Sequence, residues 1–152
     1  MREQVKDFDG QYSGICRYCG QIRVFAELLP GEDADGTATR LCDCKEGRAY
    51  DLVRREAEDA EERREKALRD ANEKIEFAFG PGAEERFGIA MPIMNAHARG
   101  HLHDLVARIY DEQIESITLS ADGIKATMRK TSKGYIRIQR KDAQEIALEV
   151  IT

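Results

Sequence analysis

Apolar and polar residues alternate along the last third of the chain. Ile124, Ala126 and Met128 share one side of an extended segment, as do Ile136 and Ile138, and again Ile146, Leu148 and Val150. The pattern predicts four strands over residues 114–120, 124–130, 135–141 and 145–151. Asp122 with Gly123 separates the first two, and residues 132–134 (Ser-Lys-Gly) the next two, both turn-forming sequences. Just upstream the period lengthens to that of a helix. Over residues 92–112, Met94, Ala98, Leu102, Leu105, Val106 and Ile109 fall on one side when wound at about 100° per residue. A four-stranded antiparallel meander covered on one face by this helix is the simplest arrangement that buries both apolar faces.

A second helical pattern precedes it. From residue 51 to residue 76, 17 of 26 positions are charged and none is Pro or Gly. Acid precedes base at i, i+4 in Asp51/Arg55, Asp59/Arg63, Glu62/Lys66, Glu65/Arg69 and Asp70/Lys74, pairs that support a solvated helix. Its apolar stripe is thin: Tyr50, Val53, Ala57, Ala60, Arg64, Ala67, Ala71 and Ile75 recur at threes and fours. The pattern reads as a solvated spacer, and the Ala-rich stripe could alternatively form a seam between two copies of the 50–75 helix. Residues 75–79 end it in an aromatic cluster, and Gly80, Pro81 and Gly82 mark a break, followed by a short turn over 84–88.

The first third has weak periodicity and carries all four cysteines, Cys16 and Cys19 as Cys-x-x-Cys followed by Gly20, then Cys42 and Cys44 as Cys-x-Cys. A Cys-x-x-Cys-Gly segment turns tightly enough to point both sulfurs at one spot, and the second pair completes four thiolates for a closed tetrahedral zinc site. Two disulfides would require an oxidising compartment, and a redox dithiol would leave the second pair unexplained. Residues 21–26 are strand-like, residues 37–41 can pair back with them, and residues 30–36 are turn-rich, which is the layout of a zinc ribbon. Lys45 to Arg48 lead into the helical pattern, placing Cys44 at a helix N-terminus that favours its thiolate. The expected organisation is therefore α+β in three parts: a zinc ribbon over 1–48 holding Zn2+, a charged helical connector over 49–80, and an α+β domain over 81–152.

Charge narrows the function. The chain has 24 Lys and Arg against 29 Asp and Glu, a net charge of −5, which argues against general coating of polyanions. Only residues 113–152 are basic, with seven cations against five carboxylates. No apolar run approaches the roughly 20 residues of a membrane span, and the start has no signal-like apolar core, so no membrane contact and a cytoplasmic location are expected. The sheet face opposite the apolar one carries Lys125, Thr127 and Arg129, then Tyr135, Arg137, Gln139 and Lys141, with Lys130, Lys133 and Arg140 at turns and edges. Lys125, Arg129, Lys133, Tyr135, Arg137 and Lys141 are the candidate contacts for a nucleic acid or an acidic protein. His97, His101 and Asp104 lie at i, i+4 and i+7, within about 60° on one helix side, and could hold a catalytic metal. No hydrolase, Walker, zinc-protease or dinucleotide signature accompanies them.

The order of these features resembles uncharacterised zinc-ribbon proteins encoded by phages and prophages of Gram-positive bacteria. It rests on Cys16 to Gln21, on Cys42 to Cys44 followed by an Ala-rich charged helix, on the Phe79-Gly80 break, and on the segment TSKGYIRIQR at 131–140. The resemblance implies a bacterial host cytoplasm and transfers no activity. The resulting expectation is a non-enzymatic binding protein in regulatory contact with nucleic acid or with a protein that handles it. Two other classes compete: an inhibitor of a host defence system acting through the acidic surface, and a metal-dependent enzyme using the His97 stripe.

Overall fold

The computed structural model describes residues 10–82, 91–142 and 145–151, so the turn expected at 84–88 lies outside the described residues. The chain forms two compact units, residues 1–60 and 61–152.

In the first unit, β1 (Tyr12–Ile15) and β2 (Ile22–Phe25) form an antiparallel hairpin in which Tyr12 faces Phe25 and Ile15 faces Ile22. The turn joining them is the Cys16-x-x-Cys19 segment. The helix α1 (Ala34–Arg40) follows, its N-cap Asp33 accepting from the Gly36 amide. This corrects the expectation that residues 37–41 form a strand paired with 21–26: that segment is helical, and the partner of β2 is β1. The β-branched Thr37 and Thr39 suggested a strand, but both hydroxyls are used locally. Thr39 Oγ1 donates to the Asp35 carbonyl and accepts from the Arg17 amide, while Thr37 Oγ1 accepts from the Leu29 amide.

Helix α2 (Lys45–Phe79) starts in this unit and ends in the next. Its first part is tied to the α1 region by ions. Arg40, 6% exposed, reaches both Asp51 and Glu58, and Arg54 pairs with the nearly buried Glu32. Apolar burial here is slight. Ile15, Ile22, Val24, Leu41, Leu52 and Val53 are all exposed, and among the described residues of this unit the buried apolar side chains are Cys16, Ala38 and Cys42.

The second unit has a conventional core. Strands β3 (Ser116–Ala121), β4 (Ile124–Lys130), β5 (Tyr135–Lys141) and β6 (Glu145–Ile151) form one antiparallel meander in that order. The helix α3 (Ala96–Tyr110), capped by Asn95, buries Ala98, Leu102, Val106 and Ile109 against the inward side chains Ile124, Ala126, Met128, Ile136, Ile138 and Val150. The fold is thus α+β, with a cysteine-bearing hairpin that fits a zinc ribbon, a long helix and a four-stranded antiparallel sheet. The long helix is more than a solvated spacer: Ala71, Ile75, Ala78 and Phe79 belong to the same core and Ala67 is buried, while Val53, Ala57 and Ala60 are exposed.

Arg140 also departs from expectation. It lies fully buried on the core side of β5 rather than at an edge of the outer face. Its guanidinium donates to the Ala78 and Pro92 carbonyls and to Asp142, so each nitrogen of the buried cation has an acceptor.

Arg64 and Asp111 form a two-bond pair, both 2.8 Å, between α2 and the end of α3. The Arg64 guanidinium holds the Asp111 carboxyl below the usual carboxylate range. A lowered folded value means the pair stabilises the fold above the ordinary carboxylate range and is lost as pH falls through the lowered one. Asp111→Asn should therefore lower Tm by a few degrees at pH 7 and flatten the acid limb of a Tm-against-pH curve.

Candidate functional site

The four cysteine sulfurs lie within 4.8 Å of one another. Cys16 Sγ is 3.8 Å from Cys44 Sγ, and Cys19 Sγ is 3.4 Å from Cys42 Sγ. A tetrahedron with metal–sulfur bonds of 2.3 Å has edges of about 3.8 Å, so these spacings suit a four-coordinate zinc ion. All four are free cysteines, and a soft, all-sulfur donor set selects zinc over hard cations.

Local backbone builds the site. Gly20, at φ +74°, lets the hairpin turn sharply, its amide bonding the Cys16 carbonyl at 3.0 Å. The Cys44 carbonyl receives the Arg48 amide at the start of α2, and its Sγ accepts from the Gly47 amide at 3.2 Å. Cys44 therefore caps the helix with its sulfur, as its position before the helical pattern suggested. At Gly47 a Cβ would lie 2.9 Å from the Thr39 carbonyl oxygen and 3.0 Å from the Cys42 Cβ, so the second cysteine pair can approach α2 only because this position has no side chain.

Without metal the thiols are unequal. Amides of Cys19 and Tyr18 directed at Cys16 lower its pKa to about 6. Cys19 is raised to about 12: the Gln21 amide favours its thiolate, but the Cys42 thiol, burial and the other two sulfurs outweigh it. At Cys44 the Gly47 amide favours the thiolate, but burial and the Cys42 and Cys16 sulfurs outweigh it and the pKa is raised. Cys16 ionises readily while Cys19 and Cys44 resist a further charge, so a divalent cation would offset the charge of the gathered thiolates.

Sequence inspection overlooked Arg23. Its guanidinium bonds Asp43 at 2.9 Å, between the two metal-facing cysteines of the second pair, and its pKa is raised by Asp43 and then by Cys42. It is a cation positioned to offset the double negative charge of a zinc–tetrathiolate centre. The visible signal was a lone Arg in the strand after the first pair.

The basic sheet face is assembled as the alternation implied. Lys125, Arg129 and Lys141 are exposed, Tyr135 and Arg137 half-buried, and Lys133 is exposed in the β4–β5 turn. In register, Arg129 faces Arg137 and Lys125 faces Lys141, with Thr127 and Gln139 between the two rows. Among the described residues none of these five cations forms an ion pair within 4 Å, although Arg17, Arg23, Arg40, Arg54, Arg64, Arg99 and Arg140 all do. Like charges directly opposite across strands are destabilising, and among the described residues the repulsion is offset only from the β6 side, where Glu149 stands opposite Arg137 and Glu145 opposite Lys141.

The histidine stripe is only partly assembled. His97 Nε2 and His101 Nε2 are 3.0 Å apart on the exposed side of α3, but Asp104 does not join them. Among the described residues, the four cysteines are the one group of three or more such side chains placed to hold a metal ion. His103 turns to Glu76, at 3.1 Å. No helix among the described residues is long and apolar enough to cross a membrane. Compared with protein-family models, curated proteins and solved structures, the chain matches none of them.

Proposed function

We propose that this protein is a zinc-stabilised, non-enzymatic binding protein whose outer sheet face, centred on β4 and β5, contacts nucleic acid in a regulatory role. The observation that carries the reading is the two cation-on-cation rows across β4 and β5, Arg129 opposite Arg137 and Lys125 opposite Lys141, with carboxylates facing only the β5 members, from β6. Phosphates bound over these rows would relieve the repulsion between them directly. The two rows lie four residues apart along the strands, about 13 Å, so more than one phosphate can be met at once. Tyr135 adds a ring on which a base can stack. The net charge of −5 disfavours indiscriminate adsorption and leaves this face as the local attractor. The zinc centre, closed by four sulfurs, serves to fold its unit and leaves no coordination position for hydrolysis. The resemblance of the motif order to phage-encoded proteins is what supports a setting in the cytoplasm of an infected or lysogenic bacterium.

Fluorescence anisotropy with single-stranded DNA and RNA oligonucleotides tests the reading. Binding should weaken steeply with salt, with a log–log slope of about −3 for four or so phosphate contacts. Absence of binding to any oligonucleotide at low salt overturns it. Capture of a protein from nuclease-treated lysate by the same face would replace nucleic acid with an acidic protein partner.

A further inference from the structure

At the β4–β5 end of this face lies a cavity of about 400 Å3 lined by Arg129, Lys130, Lys133, Tyr135, Arg137 and Glu149, together with the turn residues Thr131 and Ser132. We propose that this cavity is a seat for the terminal phosphomonoester of a nucleic-acid strand, so that the protein recognises strand ends; the inference rests on the nucleic-acid reading above.

Four features support it. The first is charge. Four cations and one carboxylate line the cavity, whereas the other end of the face offers only the Lys125 and Lys141 pair. Lys130 is shared with Glu112 at 2.5 Å and Arg137 stands across from Glu149, but Arg129, Lys133 and Arg137 form no ion pair within 4 Å among the described residues. An internal phosphodiester brings one negative charge, whereas a terminal monoester carries about −1.5 to −2 at pH 7. The more concentrated positive field therefore favours the end over the middle of a strand.

The second is an unmet donor. Arg137 Nε is shut off from solvent and has no hydrogen-bond partner. Buried donors are ordinarily satisfied, and a small rotation of this half-buried side chain would turn its Nε edge out to two phosphate oxygens at once.

The third is size. A lone oxyanion would leave most of about 400 Å3 empty, whereas one terminal nucleotide would use it, phosphate among the cations and base against Tyr135.

The fourth is rigidity. The Thr131 amide donates to the Tyr135 carbonyl at 2.7 Å, the Tyr135 amide to Thr131 Oγ1 at 3.1 Å, and the Gly134 amide to the Thr131 carbonyl at 2.9 Å. The Thr131–Tyr135 turn that lines the cavity is thus held by its own hydrogen bonds before any ligand arrives, which lowers the ordering cost of binding.

The test uses the full zinc-loaded chain and fluorescein-labelled single strands of one sequence bearing a 5′-phosphate, a 3′-phosphate or hydroxyls at the unlabelled end. A phosphorylated end, 5′ or 3′, should bind about tenfold tighter than the hydroxyl strand, and the arm that does so identifies which end is read. Arg137→Gln should bring the ratio of the two affinities close to one, whatever happens to their common level. Lys133→Gln, in the exposed turn, should lower the same ratio without any burden on folding. Equal affinities for phosphorylated and hydroxyl strands overturn this inference while leaving the nucleic-acid reading in place. Failure of every strand to bind overturns that reading itself. Displacement of a bound phosphorylated strand by a phosphoserine peptide at equal concentration overturns the inference in favour of a phosphoprotein ligand.

Discussion

Removing zinc should unfold the first unit and spare the second. Chelation, or Cys42→Ser with Cys44→Ser, is expected to collapse the amide signals of residues 12–44 into the unfolded region of an NMR spectrum while those of 116–141 stay dispersed. Elemental analysis should give one zinc per chain for the native protein and none for the double variant. The size of the effect follows from how little else holds the unit. Its larger apolar side chains, among them Ile15, Ile22, Val24 and Leu52, lie on the surface. Its ion pairs include half-exposed members such as Arg17 and Asp33, which contribute little on their own. Structural zinc contributes roughly 10–16 kcal/mol of apparent binding free energy in small zinc-finger peptides, more than such a unit could replace. The second unit has its own core of Ile75, Phe79, Met94, Leu102, Val106, Met128 and Ile138, all essentially inaccessible to solvent, and needs no metal to persist. Full zinc retention by the double variant, or loss of the sheet on chelation, would contradict the assignment.

The parts legible in the sequence were those with a single strong period or an unambiguous chemistry. Ile124, Ala126 and Met128 can all be buried only if β4 is a strand with that side inward, and Asp122-Gly123 supplies the tight turn the hairpin needs, with φ of 55° and 77°. Four cysteines in two close pairs have few physical uses. The first unit was less legible because it buries almost nothing. Without an apolar face to set a period, Thr37, Ala38 and Thr39 read as strand, and their helical conformation follows from the Asp33 cap and hydroxyl bonds that no periodicity displays. The role of α2 was misjudged because alanine makes a weak signal. Ala67, Ala71 and Ala78 bury small area each, and only with Ile75 and Phe79 beside them does the core face emerge. Arg140 was judged by its charge, although its place in the alternation, two residues beyond Ile138, already put it inside. The test for a buried cation is whether enough acceptors converge on it, and Asp142 was the only one visible from sequence.

Reversing two charges on β4, Lys125→Glu with Arg129→Glu, should abolish nucleic-acid binding without cost to the fold. Both residues are exposed, and each stands directly opposite a cation, Lys125 facing Lys141 and Arg129 facing Arg137. The substitutions turn two repulsive cross-strand pairs into attractive ones, each change worth roughly 0.2–1 kcal/mol in favour of the sheet. The Tm should hold or rise slightly. Binding loses two charge-assisted phosphate contacts, typically about 1.5–3 kcal/mol each, and gains two carboxylates that repel the strand. A loss of 3 kcal/mol or more is over 100-fold in affinity, enough to take a micromolar complex beyond detection by anisotropy. Stability and binding moving in opposite directions is the diagnostic outcome, because a variant that merely damaged the sheet would lose both. Targeting β4 alone also leaves Arg137, whose guanidinium is partly enclosed, in its native surroundings. Retention of affinity by this variant, with its Tm unchanged, would mean that the cations on β4 and β5 are solvated surface and that the ligand is met elsewhere on the protein.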